Sequence, residues 1–349
     1  MSDGSRARRL ARALVASLAG AGLVAGAGLL AGPVPAASAA PVRVPASDGA
    51  EIVAEQWIDA STVDVTIGTP SLEKPEKMRL LLPRSWSRDA ARTWPVVYAY
   101  QGGNDDYLSW IKGSQLATLA RGWDVIVALP EGGKDGGYTD WFNYGKGGTP
   151  KWETFHTSEV IQLVERNYHG GTRRAALGVS SGGQGAIGYA GRHPGMYRYA
   201  VSLSGLLHLT KPRIPSVLML QGFVFDFDPY RVWGIPGWDD RNWKAHDPYE
   251  LAPKLRGTGL YISAGTTGLP GPYDPNPDGG DPVQEALAGG TGELLAGQTT
   301  ADFVARIKQL GIPATVHLYE KGWHNWRYWR PELDQAWPLM MASLGARKA

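Results

Sequence analysis

The sequence contains no cysteine among its 349 residues, which excludes disulfides, thiolate metal sites and a cysteine nucleophile. Any covalent catalysis must therefore use oxygen or nitrogen. Neither sign of charge is in excess: 35 Lys+Arg stand against 33 Asp+Glu, a net +2. That balance excludes a strongly basic nucleic-acid binder and an acidic solvating tail. There is no H-E-x-x-H and no P-loop, and Asp274, Asp278 and Asp281 lack EF-hand spacing, so no metal or cofactor is expected. With 43% apolar and 19% charged residues the composition is that of a globular protein. The chain is long enough to bury a large core without covalent staples.

The first forty residues read differently from the rest. Arg6, Arg8, Arg9 and Arg12 form a basic region, followed by an uncharged Ala/Gly/Leu/Val stretch from Ala13 to Gly32. Pro33 and Pro35 then precede Ala36-Ala37-Ser38-Ala39-Ala40, whose A-x-A site ends at Ala39. This layout predicts a secretory signal over residues 1–39, and hence a protein found outside the cell or in its wall. The alternative, an uncleaved membrane anchor, fits less well because the stretch is poor in strongly apolar residues and carries a cleavage site. Loss of residues 1–39 removes four Arg and one Asp and turns +2 into −1. Residues 40–60, with Pro41 and Pro45, read as a spacer, and residues 61–349 as a single catalytic domain.

Within that domain, Val63–Ile67 and Met78–Leu82 have the pattern of antiparallel edge strands. Continuous apolar runs follow at 96–100, 125–129, 175–179, 199–203, 260–263 and 314–319, as parallel strands buried on both faces require. Helical spacing lies between them: Val160, Leu163 and Val164 share one face, as do Phe303, Ile307 and Leu310, and Leu333, Trp337, Met340 and Leu344. The alternation predicts an α/β fold with a mostly parallel central sheet and helices on both faces. Two connections, 211–252 and 266–292, are longer than ordinary loops and follow parallel strands. They are expected over the carboxyl end of the sheet, where ligands bind.

Gly178-Val179-Ser180-Ser181-Gly182 satisfies G-x-S-x-G, placed after an apolar strand and before a Gly/Ala-rich helix. A nucleophile elbow needs that context and small neighbours, so Ser180 is the candidate nucleophile. Its base should come late in the chain. Of the seven histidines, only His324 falls in a loop just past the last strand; His317, within that strand, reads as a packed residue. A carboxylate must hold the imidazole, and Asp274, Asp278, Asp281, Glu285 and Glu293 all lie in the right window; position alone favours the earlier aspartates. Two backbone N–H groups must face the oxyanion. Ser181, next to the nucleophile, and Gly103, in the loop after the 96–100 strand, are the candidates. Trp326, beside His324, offers an aromatic surface for a sugar ring or lipid chain.

These residues resemble the secreted mycolyltransferases of the antigen 85 complex and the wider esterase D-like family, over roughly residues 60–345. The likeness rests on Asp105-Asp106-Tyr107 with Trp110, Thr139-Asp140-Trp141-Phe142, Lys151 to Phe155, the elbow, Ser202 to Leu207, Asp247-Pro248 and His324 to Trp329. It implies the α/β-hydrolase fold and a Glu as the acid, ten residues before a helix Phe. Glu293 stands ten before Phe303 and 31 before His324. It also implies a ping-pong reaction in which Ser180 takes an acyl chain from a lipid or glycolipid ester and passes it to a sugar or to water.

Two departures stand out. Where the family's oxyanion loop has an Asp and an Arg that help hold trehalose, this chain has Gln101 and no Arg. Gln101 is the substrate-contact candidate at that position. A family cysteine on the strand before the acid is Ala264 here. The expectation is a secreted, monomeric serine acyltransferase or carboxylesterase with no nucleic-acid partner and no membrane span after signal removal. A non-catalytic wall-binding or adhesin protein is the alternative, against which the complete Ser/His/Glu set argues.

Overall fold

The computed structural model describes residues 43–349 apart from 135–136, 225–226 and 276–280; the signal segment 1–39 and the acid candidate Asp278 lie outside the described residues. Nine strands run β1 (Glu51–Asp59), β2 (Thr62–Gly68), β3 (Glu76–Leu81), β4 (Trp94–Tyr100), β5 (Ile126–Pro130), β6 (Gly170–Val179), β7 (Tyr199–Leu203), β8 (Gly259–Gly265) and β9 (Thr315–Tyr319). They form one sheet in the order β1-β2-β3-β5-β4-β6-β7-β8-β9. The pairs from β1 to β5 through β3 are antiparallel, and those from β5 through β4 to β9 are parallel.

Period-2 alternation splits the central strands between two cores. In β4, Tyr98 and Tyr100 point to one face, where Leu163, Val164, Ile187 and Phe303 pack. Val97 and Ala99 point to the other, against Trp329, Leu333, Trp337 and Met340 of the helix Trp326–Leu344. Both faces are therefore dry, which is why these strands read as unbroken apolar runs.

Two expectations need correction at the sheet's edges. The stretch 40–60 is not a spacer throughout, because β1 occupies Glu51–Asp59 and pairs with β2. Its alternation is blurred: only Ile52 is buried, and register shifts interrupt the pairing twice. An edge strand that buries almost nothing carries little hydrophobic signal. At the opposite edge, β9 is largely exposed, and His317 is not packed in a core but bonds through Nδ1 to Glu332 Oε1 at 2.6 Å.

Strand order reverses around β4, so the connections leaving β4 and β6 diverge and open a crevice at the carboxyl end of the sheet. Both long connections fold over this end. The first carries the helix Ile214–Val224 and, together with Leu209 just before it, builds a satellite core of Met219, Val232, Trp233 and Trp243.

Candidate active site

Ser180 follows the last residue of β6 and begins the helix Ser181–Arg192. Its backbone lies at φ 55°, ψ −125°, a strained conformation that turns the chain sharply from strand to helix. The turn is held by Ser180 N–H donating to Leu203 O at 2.8 Å. It is possible only with glycines beside it. A Cβ on Gly178 would stand 1.9 Å from Gly182 O, and one on Gly182 would stand 2.4 Å from Tyr100 O. The G-x-S-x-G spacing is thus a packing requirement that leaves the serine hydroxyl at the top of the sheet.

His324 sits between β9 and the C-terminal helix, whose N-terminus is capped by Asn325 Oδ1 accepting from Arg327 N–H at 3.0 Å. Its Nε2 is 2.8 Å from Ser180 Oγ and its Nδ1 is 2.7 Å from Glu293 Oε2. With the carboxylate as acceptor, Nδ1 carries the proton and Nε2 is left to accept from the serine hydroxyl. The Trp329 ring meets the imidazole edge-on at 4.8 Å between centroids.

Glu293 lies in the first turn of the helix Thr291–Gln309 and is fully buried. A buried carboxylate is tolerable only when its lone pairs are used. Here Oε1 accepts from Gly265 N–H at 2.5 Å, Ser204 Oγ at 2.8 Å and the Tyr319 hydroxyl at 2.9 Å. Ser204 in turn accepts from Trp329 Nε1 at 2.9 Å.

The remaining described acid candidates do other work. Asp274 accepts from Tyr328 OH at 2.6 Å, Trp323 N–H at 3.1 Å and Asn325 Nδ2 at 3.0 Å, so it anchors the loop that carries His324. Asp281 accepts from Val283 N–H at the start of a short helix, and Glu285 stands in the turn that follows it. Sequence spacing does not mark Ser204, Tyr319 or Asp274 as supports of the site. Ser204 leaves one local signal, its place in Ser-Leu-Ser-Gly at a strand end, where its φ of 53° repeats the strain seen at Ser180.

A cavity of about 470 Å³ opens at Ser180 and His324. Gly103 and Ser181, the two oxyanion candidates, both line it, and a Cβ added to Gly103 would stand 3.5 Å from Ser181 Oγ. Its apolar walls come largely from the first long connection, through Leu218, Met219, Phe227, Val232 and Trp233, while Ala288 and Gly289 of the second close another side. Gln101 and Trp326, the two substrate-contact candidates, are not among the lining residues. Gln101 is buried beneath the loop after β4, with its side-chain amide donating to Asp105 O and Glu131 Oε1. Trp326 packs edge-on against Trp110 and Trp329 and fills the space left by Gly113. The resemblance puts Gln101 at the substrate and its place beside His324 does the same for Trp326, but neither reveals which way the side chain turns.

The Esterase family model matches residues 69–340. The chain belongs to the esterase/antigen 85-like family. It is 30% identical over 278 residues to an esterase of Mycobacterium tuberculosis H37Rv, an alignment covering 77% of this chain and 57% of that protein. This family member thus spans little more than half the length of that relative. It is 31% identical over 270 residues to the diacylglycerol acyltransferase/mycolyltransferase Ag85B of Mycobacterium intracellulare, covering 72% and 76% of the two chains. Among solved structures, MPT51 of Mycobacterium tuberculosis superposes with a TM-score of 0.65 at 21% identity, covering 80% of this chain and 97% of that one. At that identity the likeness speaks for the fold, which is the α/β-hydrolase fold. Among the described residues of this esterase-family chain, no helix is long and apolar enough to cross a membrane.

Proposed function

We propose that the protein is a serine acyltransferase or esterase that works through an acyl-enzyme. The observation that carries this reading is the position of His324, within hydrogen-bond distance of both Ser180 Oγ and Glu293 Oε2, at the edge of an apolar cavity. In the first half-reaction Ser180 Oγ attacks the ester carbonyl while His324 Nε2 takes its proton. The N–H groups of Gly103 and Ser181 receive the developing oxyanion. His324 then gives the proton to the departing alkoxide as the ester C–O bond breaks. In the second half-reaction an acceptor hydroxyl, of a sugar or of water, surrenders its proton to His324 and attacks the acyl carbonyl; as the acyl–Oγ bond breaks, His324 returns the proton to Ser180 Oγ.

The cavity walls suit the alkyl part of an acyl ester, since burying apolar surface stabilises binding by roughly 25 cal/mol per Å². Residues 1–39 act as an export signal in this reading, so the substrates are lipid or glycolipid esters met outside the cell. The test has two parts. Wild-type protein turns over p-nitrophenyl esters and Ser180→Ala does not; equal turnover by the variant removes Ser180 from the reaction. Product analysis with and without trehalose or other sugar acceptors then separates acyl transfer from hydrolysis.

A further inference from the structure

We propose that Glu131 is a positioning residue for the oxyanion loop, acting through Gln101; this inference rests on the reading of Ser180, Ser181 and Gly103 given above. Gln101, Gly102 and Gly103 form the loop that leaves β4, and Glu131 begins the loop that leaves the neighbouring parallel strand β5. Glu131 Oε1 accepts from Gln101 Nε2 at 2.9 Å and from Gly133 N–H at 3.0 Å, while Oε2 accepts from Tyr107 N–H at 3.2 Å. One carboxylate thus ties together the chain before Gly103, the chain after it, and the loop from β5 that walls the cavity at Gly133.

The loop is held from below as well. Gln101 O accepts from the buried Tyr138 hydroxyl at 2.6 Å, and Glu131 O accepts from the ring of buried His156 at 2.8 Å. Gly102 lies directly against the elbow, where a Cβ would come into van der Waals contact with Ser180 Cβ at 3.5 Å.

The side chain at 101 must supply two donors. Its Nε2 faces two acceptors, Asp105 O at 2.7 Å and Glu131 Oε1, whereas its Oε1 is buried with no protein partner. An amide meets that demand with its two N–H bonds; a carboxylate at the same position would set negative charge against negative charge. Glutamine at 101 is therefore the partner that Glu131 requires, and its task is to hold the donor of Gly103 in place rather than to touch substrate.

The test compares wild type with Glu131→Gln, Gln101→Glu and Gln101→Met on a p-nitrophenyl ester, with kcat expressed per mole of serine titrated by a fluorophosphonate. Loss of a whole oxyanion donor costs roughly 100- to 1000-fold in kcat, so a loosened donor should cost about 10- to 100-fold with KM changed little. Gln101→Glu adds a distinguishing signature. At alkaline pH the introduced carboxylate repels Glu131, whose charge already acts on Asp105 and Glu76; at acid pH the introduced carboxyl takes up a proton and can donate to Glu131 Oε1. The ratio of its kcat to that of wild type should rise several-fold from pH 8 to pH 5.5, while the ratio for Gln101→Met stays flat. A Glu131→Gln kcat within twofold of wild type, or a flat ratio for Gln101→Glu, overturns the inference. If wild type and Ser180→Ala are equally inactive, it is the esterase reading itself that has failed.

Discussion

The hydroxyl of Tyr319 donates to Glu293 Oε1 at 2.9 Å, on the carboxylate oxygen that does not face His324. Burial, and then the charge of Glu293, push this phenol well above its ordinary pKa, so it remains a donor over the whole working range. Tyr319→Phe removes one of the three donors that stabilise the charge on Oε1 of a buried carboxylate. That loss costs about 1–3 kcal/mol. Unfolding in urea should show a drop of this size. If the same loss falls on the transition state, kcat drops by roughly 5- to 150-fold. A variant with unchanged urea midpoint and unchanged kcat would show that Glu293 does not depend on this donor.

Glu293 and Asp274 both reach the His324 loop, but only Glu293 touches the imidazole. Glu293→Gln is expected to lower kcat on the order of 10⁴-fold, because the amide no longer selects the tautomer or stabilises the imidazolium. Asp274→Asn should weaken the anchor through Tyr328 and Trp323 and lower kcat by less than about tenfold. Steady-state kinetics on the two variants check the ranking; the reverse order would make Asp274 the acid.

His156 gives the fold a pH dependence separate from catalysis. It is fully buried between Tyr189 OH and Glu131 O, and burial lowers its pKa from its ordinary value of 6.5 to about 4. Above pH 6.5 the ring is neutral in both folded and unfolded chains and contributes no slope. Below it the unfolded chain takes up a proton that the folded chain refuses, so stability falls as pH drops from 6.5 toward 4, by about 3 kcal/mol across the window. Urea unfolding at pH 7.5, 5.5 and 4.5 should show this slope in wild type and a shallower one in His156→Gln. Equal slopes would mean that His156 already takes up its proton in the folded chain.

Trp233 forms part of the cavity wall and stacks at a tilt on buried Trp243, 5.2 Å between ring centroids. Trp233→Ala should enlarge the cavity and move the kcat/KM optimum in a p-nitrophenyl ester series toward longer acyl chains, while costing about 3–5 kcal/mol of stability. An unshifted optimum in a folded variant would place the acyl chain elsewhere.

Much of this architecture is legible in the sequence because its physical causes are local. The parallel strands announce themselves as unbroken apolar runs, since both faces are covered, and the elbow does so through glycines that its close packing demands. Spacing from Ser180 to a late loop histidine selects His324. The acid is harder. Five carboxylates share one window, and only the resemblance to the antigen 85-like proteins points to Glu293, because burial and the three donors around Oε1 come from β7–β9 and their connections, far apart in the chain. Gln101 and Trp326 show the limit most clearly. Their chain positions beside the site are correct, yet the first turns down to Glu131 and the second packs on Trp110, orientations fixed by partners that spacing does not disclose. Strand β1 escapes notice for the opposite reason, since an exposed edge needs no hydrophobic pattern.

The central claim is that Ser180 carries the acyl group. It is tested most directly by quenching the protein with an acyl ester in the pre-steady state and weighing the intact chain and its peptides. The account predicts one added acyl mass on the peptide containing Ser180, absent in Ser180→Ala and discharged on adding acceptor. An adduct of equal yield in Ser180→Ala, or one found on another residue of active wild type, would contradict it.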